Sequence, residues 1–339
     1  KQILNMGHCS SKDRDIPKPS AKPKAPAKPP KDRSKLNPAD FVLSKLTGEV
    51  IVKNEGSIDG EQFNIEECKK CNIYLCDTVA TAFVDDCEEC NIFVGPTETS
   101  VMLRNCKSCN LIIACQQFRC RDCEDCKIAL LCMTEPIIET SSKMHFACFD
   151  FTYFSLGHHL SQARLKPWNN KWWMIYDFNR NEASPNWDLF PQEEVRKMIP
   201  PQETDIEPVV PVTLGSRPRP SEEICFVIFL PDSDPLVEAF ISKADKSASW
   251  SLVRARTTTL AEDRLKALFL WAKEPKLVSS LKGKEITGVE ICGPRVYEEV
   301  QEALTSTGLA SGAKQIRVPP EKDASVLARF FFEMWKDEI

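Results

Sequence analysis

No run of about 20 apolar residues interrupts this 339-residue sequence, so a membrane-spanning helix is not expected. The first residues lack the apolar stretch of a signal peptide, and none is expected either. Histidine is scarce: His8, His145, His158 and His159 are all of it, and nothing after His159 could carry a phosphohistidine. Positive charge is missing from most of the chain. Residues 1–35 hold ten Lys/Arg against three Asp, a net of +7, so with a total of −5 the remainder sums to −12. An acidic body excludes a nucleic-acid-binding core, which needs clustered Lys/Arg to neutralise phosphates.

Cysteine is plentiful and unevenly placed. Of 16 cysteines, thirteen lie between Cys68 and Cys148, marking a single domain. The stretches EECKKCNIYL from Glu66, DDCEECNIFV from Asp85, RNCKSCNLII from Arg104 and RDCEDCKIAL from Arg121 align on their Cys-x-x-Cys pairs at nearly constant spacing. Two such pairs could build a tetrahedral zinc site. The non-cysteine positions repeat as well, which zinc would not require but a stacked solenoid does. Ile73/Leu75, Ile92/Val94, Leu111/Ile113 and Ile128/Leu130 follow the pairs as short strands with one face buried. Phe63/Ile65, Ala82/Val84, Val101/Leu103 and Phe118/Cys120 precede them as a second inward-facing set. The expected fold is therefore a parallel right-handed β-helix, with cysteines as small interior residues stacked in ladders and no bound metal.

Strand alternation turns the intervening residues outward: Asn64, Phe83, Met102 and Arg119 in one column, Glu66, Asp85, Arg104 and Arg121 in the next. If the following coil aligns Ile138 with Phe118, Glu139 stacks over Arg119, where a carboxylate could hold the guanidinium by paired hydrogen bonds.

Four regions are expected. Residues 1–35 are an extended basic, Pro-rich disordered tail, in which Met6-Gly7-His8-Cys9-Ser10-Ser11 fits an acylation signal, with myristate on Gly7 and palmitate on Cys9 if Met6 starts translation. Two chains plus the basic tail would anchor the protein to a cytosolic membrane face, which one chain would not. Residues 36–199 form the β-helix domain, 200–221 a Pro-rich interdomain linker, and 222–339 an α/β layer alternating strand and helix. There the strands are Ile224 to Leu230, Trp250 to Thr257 and Ile286 to Cys292; the helices are Asp234 to Lys243, Leu260 to Lys273 and Arg295 to Ser306. The closing FFFEMWK segment, Phe330 to Lys336, reads as packing helix.

The stretches ACQQFRCRDC, DDCEECNIFVGP and TEPIIETSS, with the MGxC-type segment near the amino terminus, resemble the retinitis-pigmentosa type 2 family of tubulin-folding cofactor C-like β-helix proteins. Adenylyl-cyclase-associated proteins are more distantly similar. The resemblance implies a GTPase-activating protein for an Arf-like small GTPase, located at the plasma membrane and ciliary base, that terminates GTP-dependent release of lipidated cargo. GTP and Mg would belong to the partner, and no cofactor to this chain. It further implies that Arg119 is the arginine finger, Gln116 orients the GTPase's switch contacts, Glu139 buttresses the arginine, and Gln117, Arg121 and Phe178 contact the partner. The carboxy-terminal layer resembles the family's ferredoxin-like, nucleoside-diphosphate-kinase-like domain, in which the missing histidine excludes kinase activity. Two other readings remain open: a noncatalytic tubulin-folding or ciliary scaffold, and a zinc-binding adaptor.

Overall fold

The computed structural model describes residues 36–181, 183–199, 206–306 and 309–333. The tail expected at 1–35, with Gly7 and Cys9, lies outside the described residues, as do part of the expected linker and residues 334–339 of the closing segment.

The cysteine region is a parallel β-helix. One ladder stacks β1 (Val42–Ser44), β3 (Phe63–Glu66), β5 (Ala82–Asp85), the second halves of β6 (Asn91–Arg104) and β7 (Asn110–Arg121), then β9 (Ile137–Glu139) and β11 (Tyr176–Asp177). A second ladder stacks β2 (Val50–Lys53), β4 (Asn72–Leu75), the first halves of β6 and β7, β8 (Lys127–Cys132), β10 (Met144–Cys148) and β12 (Trp187–Leu189). Single bridges through Lys69, Glu88, Lys107, Glu124 and Ser142 stack the corner between the ladders.

The backbone explains why that corner repeats. Each Cys-x-x-Cys is bracketed by two left-handed residues, one before the first Cys and one before the second: Glu67/Lys70, Asp86/Glu89, Asn105/Ser108 and Asp122/Asp125, with φ between 49° and 55°. Short polar side chains tolerate that conformation best, and its small cost is offset by the stacking. The same geometry recurs at Lys45/Gly48 and Thr140/Lys143, where no cysteine marks it. Interior thiols donate to carbonyls one coil back, Cys90 to Cys68 at 3.3 Å, Cys106 to Val84 at 3.3 Å and Cys109 to Cys87 at 3.5 Å. At the last corner Ser141 replaces a cysteine, and its Oγ accepts the Cys123 N–H at 3.1 Å. The thiols are thus structural packing groups, and no cluster of three or more His, Cys, Asp or Glu suited to a metal ion occurs among the described residues.

Both sets of inward residues expected from the repeat are buried. The strands after the pairs bury their second face as well, contrary to expectation. Tyr74, Phe93, Ile112, Ala129 and Ala147 pack under Phe149, Phe151, Tyr153, α1 (Leu156–Gln162) and α2 (Val195–Met198). Phe93 stacks on Phe151 with centroids 4.3 Å apart. A strand clothed on both faces reads as continuously apolar, as NIFV and NLII do.

The carboxy-terminal layer has β13 (Ile224–Phe229), α3 (Asp234–Asp245), β14 (Ser251–Thr259), α4 (Glu262–Leu268), α5 (Pro275–Leu281), β15 (Glu285–Cys292), α6 (Val296–Ser306), β16 (Ile316–Arg317) and α7 (Glu321–Glu333). Its antiparallel sheet runs β14-β15-β13-β16, the ferredoxin-like order. Residues on alternate sides of β13 divide the core: Cys225, Val227 and Phe229 face α3 and α6, while Phe226 and Ile228 face α4, α5 and α7. The helix expected from Leu260 to Lys273 ends at Leu268 and is followed by α5, because Pro275 supplies a new first turn. The described part of FFFEMWK continues α7, burying Phe331 and Phe332.

The described residues of the expected interdomain linker are packed. Thr213 Oγ1 accepts the Trp172 indole N–H at 2.8 Å, and the Thr213 amide donates to Cys148 Sγ at 3.5 Å. The Leu214 and Gly215 amides donate to Leu252 and Val253 of β14. Gly215 takes φ +62° where a Cβ would stand 2.9 Å from Trp172 and Trp173, so no other residue fits.

Candidate functional site

The outward columns run as the repeat requires, Asn64-Phe83-Met102-Arg119 and Glu66-Asp85-Arg104-Arg121. Their continuation corrects one expectation. Arg119 stands opposite Ile137, Cys120 opposite Ile138 and Arg121 opposite Glu139. The coil is shorter than an alignment of Ile138 with Phe118 would need, since Ser141 occupies the cysteine's place at the corner. Glu139 therefore stacks on Arg121, and lies diagonal to Arg119 rather than over it. The next coil places Tyr176 opposite Ile137, so Arg119, Ile137 and Tyr176 share a column.

Arg119 is exposed between the buried Phe118 and Cys120. Its two arginine neighbours are committed elsewhere. Arg104 Nε donates to Asp85 Oδ1 at 2.7 Å and its guanidinium lies 5.6 Å from the Phe83 ring centre; Arg121 Nε donates to Asp122 at 3.1 Å. Arg119 makes no side-chain hydrogen bond or ion pair with the described residues. It opens into a cavity of 320 Å³ lined by Gln117, Phe118, Thr134, Glu135, Ile137 and Lys171.

The remaining expected site residues are not all equivalent to it. Gln116 is half-buried, and its amide donates to the Ala163 and Arg164 carbonyls at 3.5 and 3.2 Å, tying β7 to the end of α1. Its backbone oxygen accepts from the Thr134 hydroxyl at 3.1 Å, fixing the cavity wall. Gln117 is exposed in the cavity rim. Phe178 is 61% exposed and meets Tyr176 edge to face at 5.0 Å, forming an aromatic pair beside the arginine column. Tyr176 is a site residue that the sequence reading does not single out, although it lies two residues before Phe178 and alternation would put both on one face.

Lys171 and Glu135 likewise carry no signal in the repeat. Burial, then the nearby Arg256, lowers the Lys171 amine's basicity, while Glu135 raises it. Lys171 belongs to a strap whose neighbours are pinned on both sides. Trp168 Nε1 donates to Thr257 Oγ1 at 3.1 Å and Asn169 Oδ1 accepts the Thr257 N–H at 3.0 Å, joining it to β14. Asn170 Oδ1 accepts the Cys132 N–H at 2.9 Å, and the Lys171 amide donates to the Cys132 carbonyl at 2.8 Å, joining it to β8. The strap then delivers Tyr176 and Phe178 to the arginine face.

The family profile "Tubulin binding cofactor C" matches residues 60–178, the stretch of β-helix that carries Arg119. The chain is 35% identical to Protein XRP2 of Mus musculus over 339 residues, covering 94% of this chain and 95% of that one. It is 35% identical to Protein XRP2 of Homo sapiens, covering 86% and 87%. To Protein XRP2 of Danio rerio it is 44% identical over 58% of this chain, a match spanning only 56% of that relative. The chain belongs to the Protein XRP2 family, as the ACQQFRCRDC and TEPIIETSS stretches imply.

Proposed function

We propose that the chain is a GTPase-activating protein for an Arf-like small GTPase, with Arg119 as the arginine finger. The observation that carries this reading is the contrast among the outward arginines: Arg104 and Arg121 are held by neighbouring carboxylates, whereas Arg119 is exposed and held by no described side chain. Exposed and unpaired among the described residues, Arg119 is available to a partner. Phosphoryl transfer to water develops charge on the γ-phosphate and the leaving oxygen, and a guanidinium inserted there contributes about 10³–10⁵ in rate. Its planar fork can bond two oxygens at once, which a lysine cannot.

Gln117, Phe178 and Tyr176 then form the surrounding docking surface, Gln116 fixes the cavity wall beside it, and GTP with Mg comes from the partner. Myristate on Gly7 and palmitate on Cys9 would hold the chain at the cytosolic face of the plasma membrane and ciliary base, where hydrolysis ends the GTPase's release of lipidated cargo. Single-turnover GTP hydrolysis by Arf-like GTPases, measured with and without the full chain, tests the reading; acceleration supports it.

A second reading follows from the tubulin-cofactor profile itself: the same face could bind a tubulin-related partner without catalysis. Binding of the GTP-bound partner with no acceleration of hydrolysis would favour that scaffold.

A further inference from the structure

Because β9 pairs Ile137 with Arg119, Glu139 occupies a diagonal position, while Glu135, just ahead of β9, lines the same cavity as Arg119. Diagonal neighbours on one face stand about 7–8 Å apart at their Cα atoms, within reach of an Arg-Glu pair. The two carboxylates differ in what else is near. Glu139 has Arg121 directly opposite and does not line the arginine's cavity. Glu135 lines it together with Arg119 and Lys171, and makes no side-chain hydrogen bond or ion pair with the described residues. Glu135 and Arg119 thus face one cavity, neither held by a side-chain hydrogen bond among the described residues, with Lys171 and Arg256 close enough to feel the Glu135 charge.

Resting on the GTPase-activating reading, we infer that Glu135 is a positioning residue for Arg119: on docking, its carboxylate accepts from the guanidinium and fixes the direction in which the finger enters the partner. Docking excludes water from the cavity, and a charge-assisted pair that is weak in solvent strengthens there. Lys171 and Arg256 then balance the carboxylate, which keeps the free site from collapsing into an Arg119-Glu135 salt bridge before the partner arrives. The sequence hides Glu135 because it precedes Pro136 in TEPIIET, outside the strand repeat, and only the shared cavity brings it to the arginine.

The test uses the full chain with Glu135→Gln, Glu135→Asp and Glu139→Gln, reading three quantities: the maximal single-turnover hydrolysis rate of an Arf-like GTPase at saturating chain, the affinity for its GTP-bound form, and the thermal midpoint of the free chain. Glu135→Gln is expected to lower the maximal rate about tenfold while affinity stays within about twofold and the midpoint is unchanged, with Glu135→Asp recovering part of the rate; this split marks positioning, since a folding role would move the midpoint. A Glu135→Gln chain that accelerates hydrolysis like wild type, or a loss seen only with Glu139→Gln, overturns the inference while leaving the GTPase-activating reading intact. A wild-type chain that accelerates nothing overturns both.

Discussion

The two folded regions fill their interiors in different ways, one by repetition and one without it. The β-helix repeats small and branched side chains coil by coil, Cys87, Cys106, Val84, Leu103, with rings such as Phe63 and Phe118 among them, and sets columns of charge on its outer face. The α/β layer has no repeat: single rings, Phe226, Phe229, Phe240 and Phe331, pack among aliphatic side chains, and a charge is taken inside, Glu290 being fully buried, 2.6 Å from Arg254 and beside Arg219. A repeated interior leaves the outer face regular, so any outward residue is aligned with its neighbours above and below at about 4.8 Å intervals. Such a face can aim one arginine. The α/β layer instead directs its specific contacts to holding itself and the strap together.

The difference can be broken from either side. Phe118→Ala removes the largest interior side chain beneath Arg119 and is expected to cost about 4 kcal/mol in a stack that cannot close the hole, with the loss seen in urea unfolding and accompanied by loss of GTPase stimulation. Glu290→Gln leaves the buried Arg254 guanidinium with only the more distant Glu333 carboxylate, 3.8 Å away, and is expected to cost about 3 kcal/mol, lowering the thermal midpoint of the α/β layer. Equal hydrogen-exchange loss throughout the β-helix in that variant would show that the two regions unfold as one.

Alkaline pH sharpens the comparison with a smaller effect. Burial raises Cys148 in the β-helix to about 11 and Cys225 in the α/β layer to about 12, against an ordinary thiol value of 9.0. Between those values the unfolded chain gives up the proton and the folded chain keeps it, so stability present below pH 9 is lost as pH rises toward each folded value. Each thiol contributes a slope of about 1.4 kcal/mol per pH unit in its window. Unfolding free energy that stays flat between pH 9 and 10.5 would contradict the buried-thiol interior.

Much of this architecture is legible in the amino-acid sequence. Four cysteine pairs announce the coil, and alternation places Arg119 outward and Phe118 inward, because a solenoid's local pattern and its global register are the same thing. Legibility fails where the pattern's chemistry is substituted. Ser141 performs a cysteine's hydrogen bonding without looking like one, so the sequence alone overestimates the length of the last coil and sets Glu139 over the wrong arginine. Lys45/Gly48 hides the first corner for the same reason. The strap's anchoring cannot be read, since Thr257, far along the chain in β14, is what holds Trp168 and Asn169.

The central claim is that Arg119 acts in a partner's active site and not in its own fold. The direct measurement is single-turnover GTP hydrolysis by an Arf-like GTPase with wild-type chain and with Arg119→Ala, alongside the affinity of each for the GTP-bound partner. The variant is expected to fold and to bind within a few-fold of wild type while its stimulation falls by about 10³ or more. Undiminished hydrolysis with Arg119→Ala would contradict the claim.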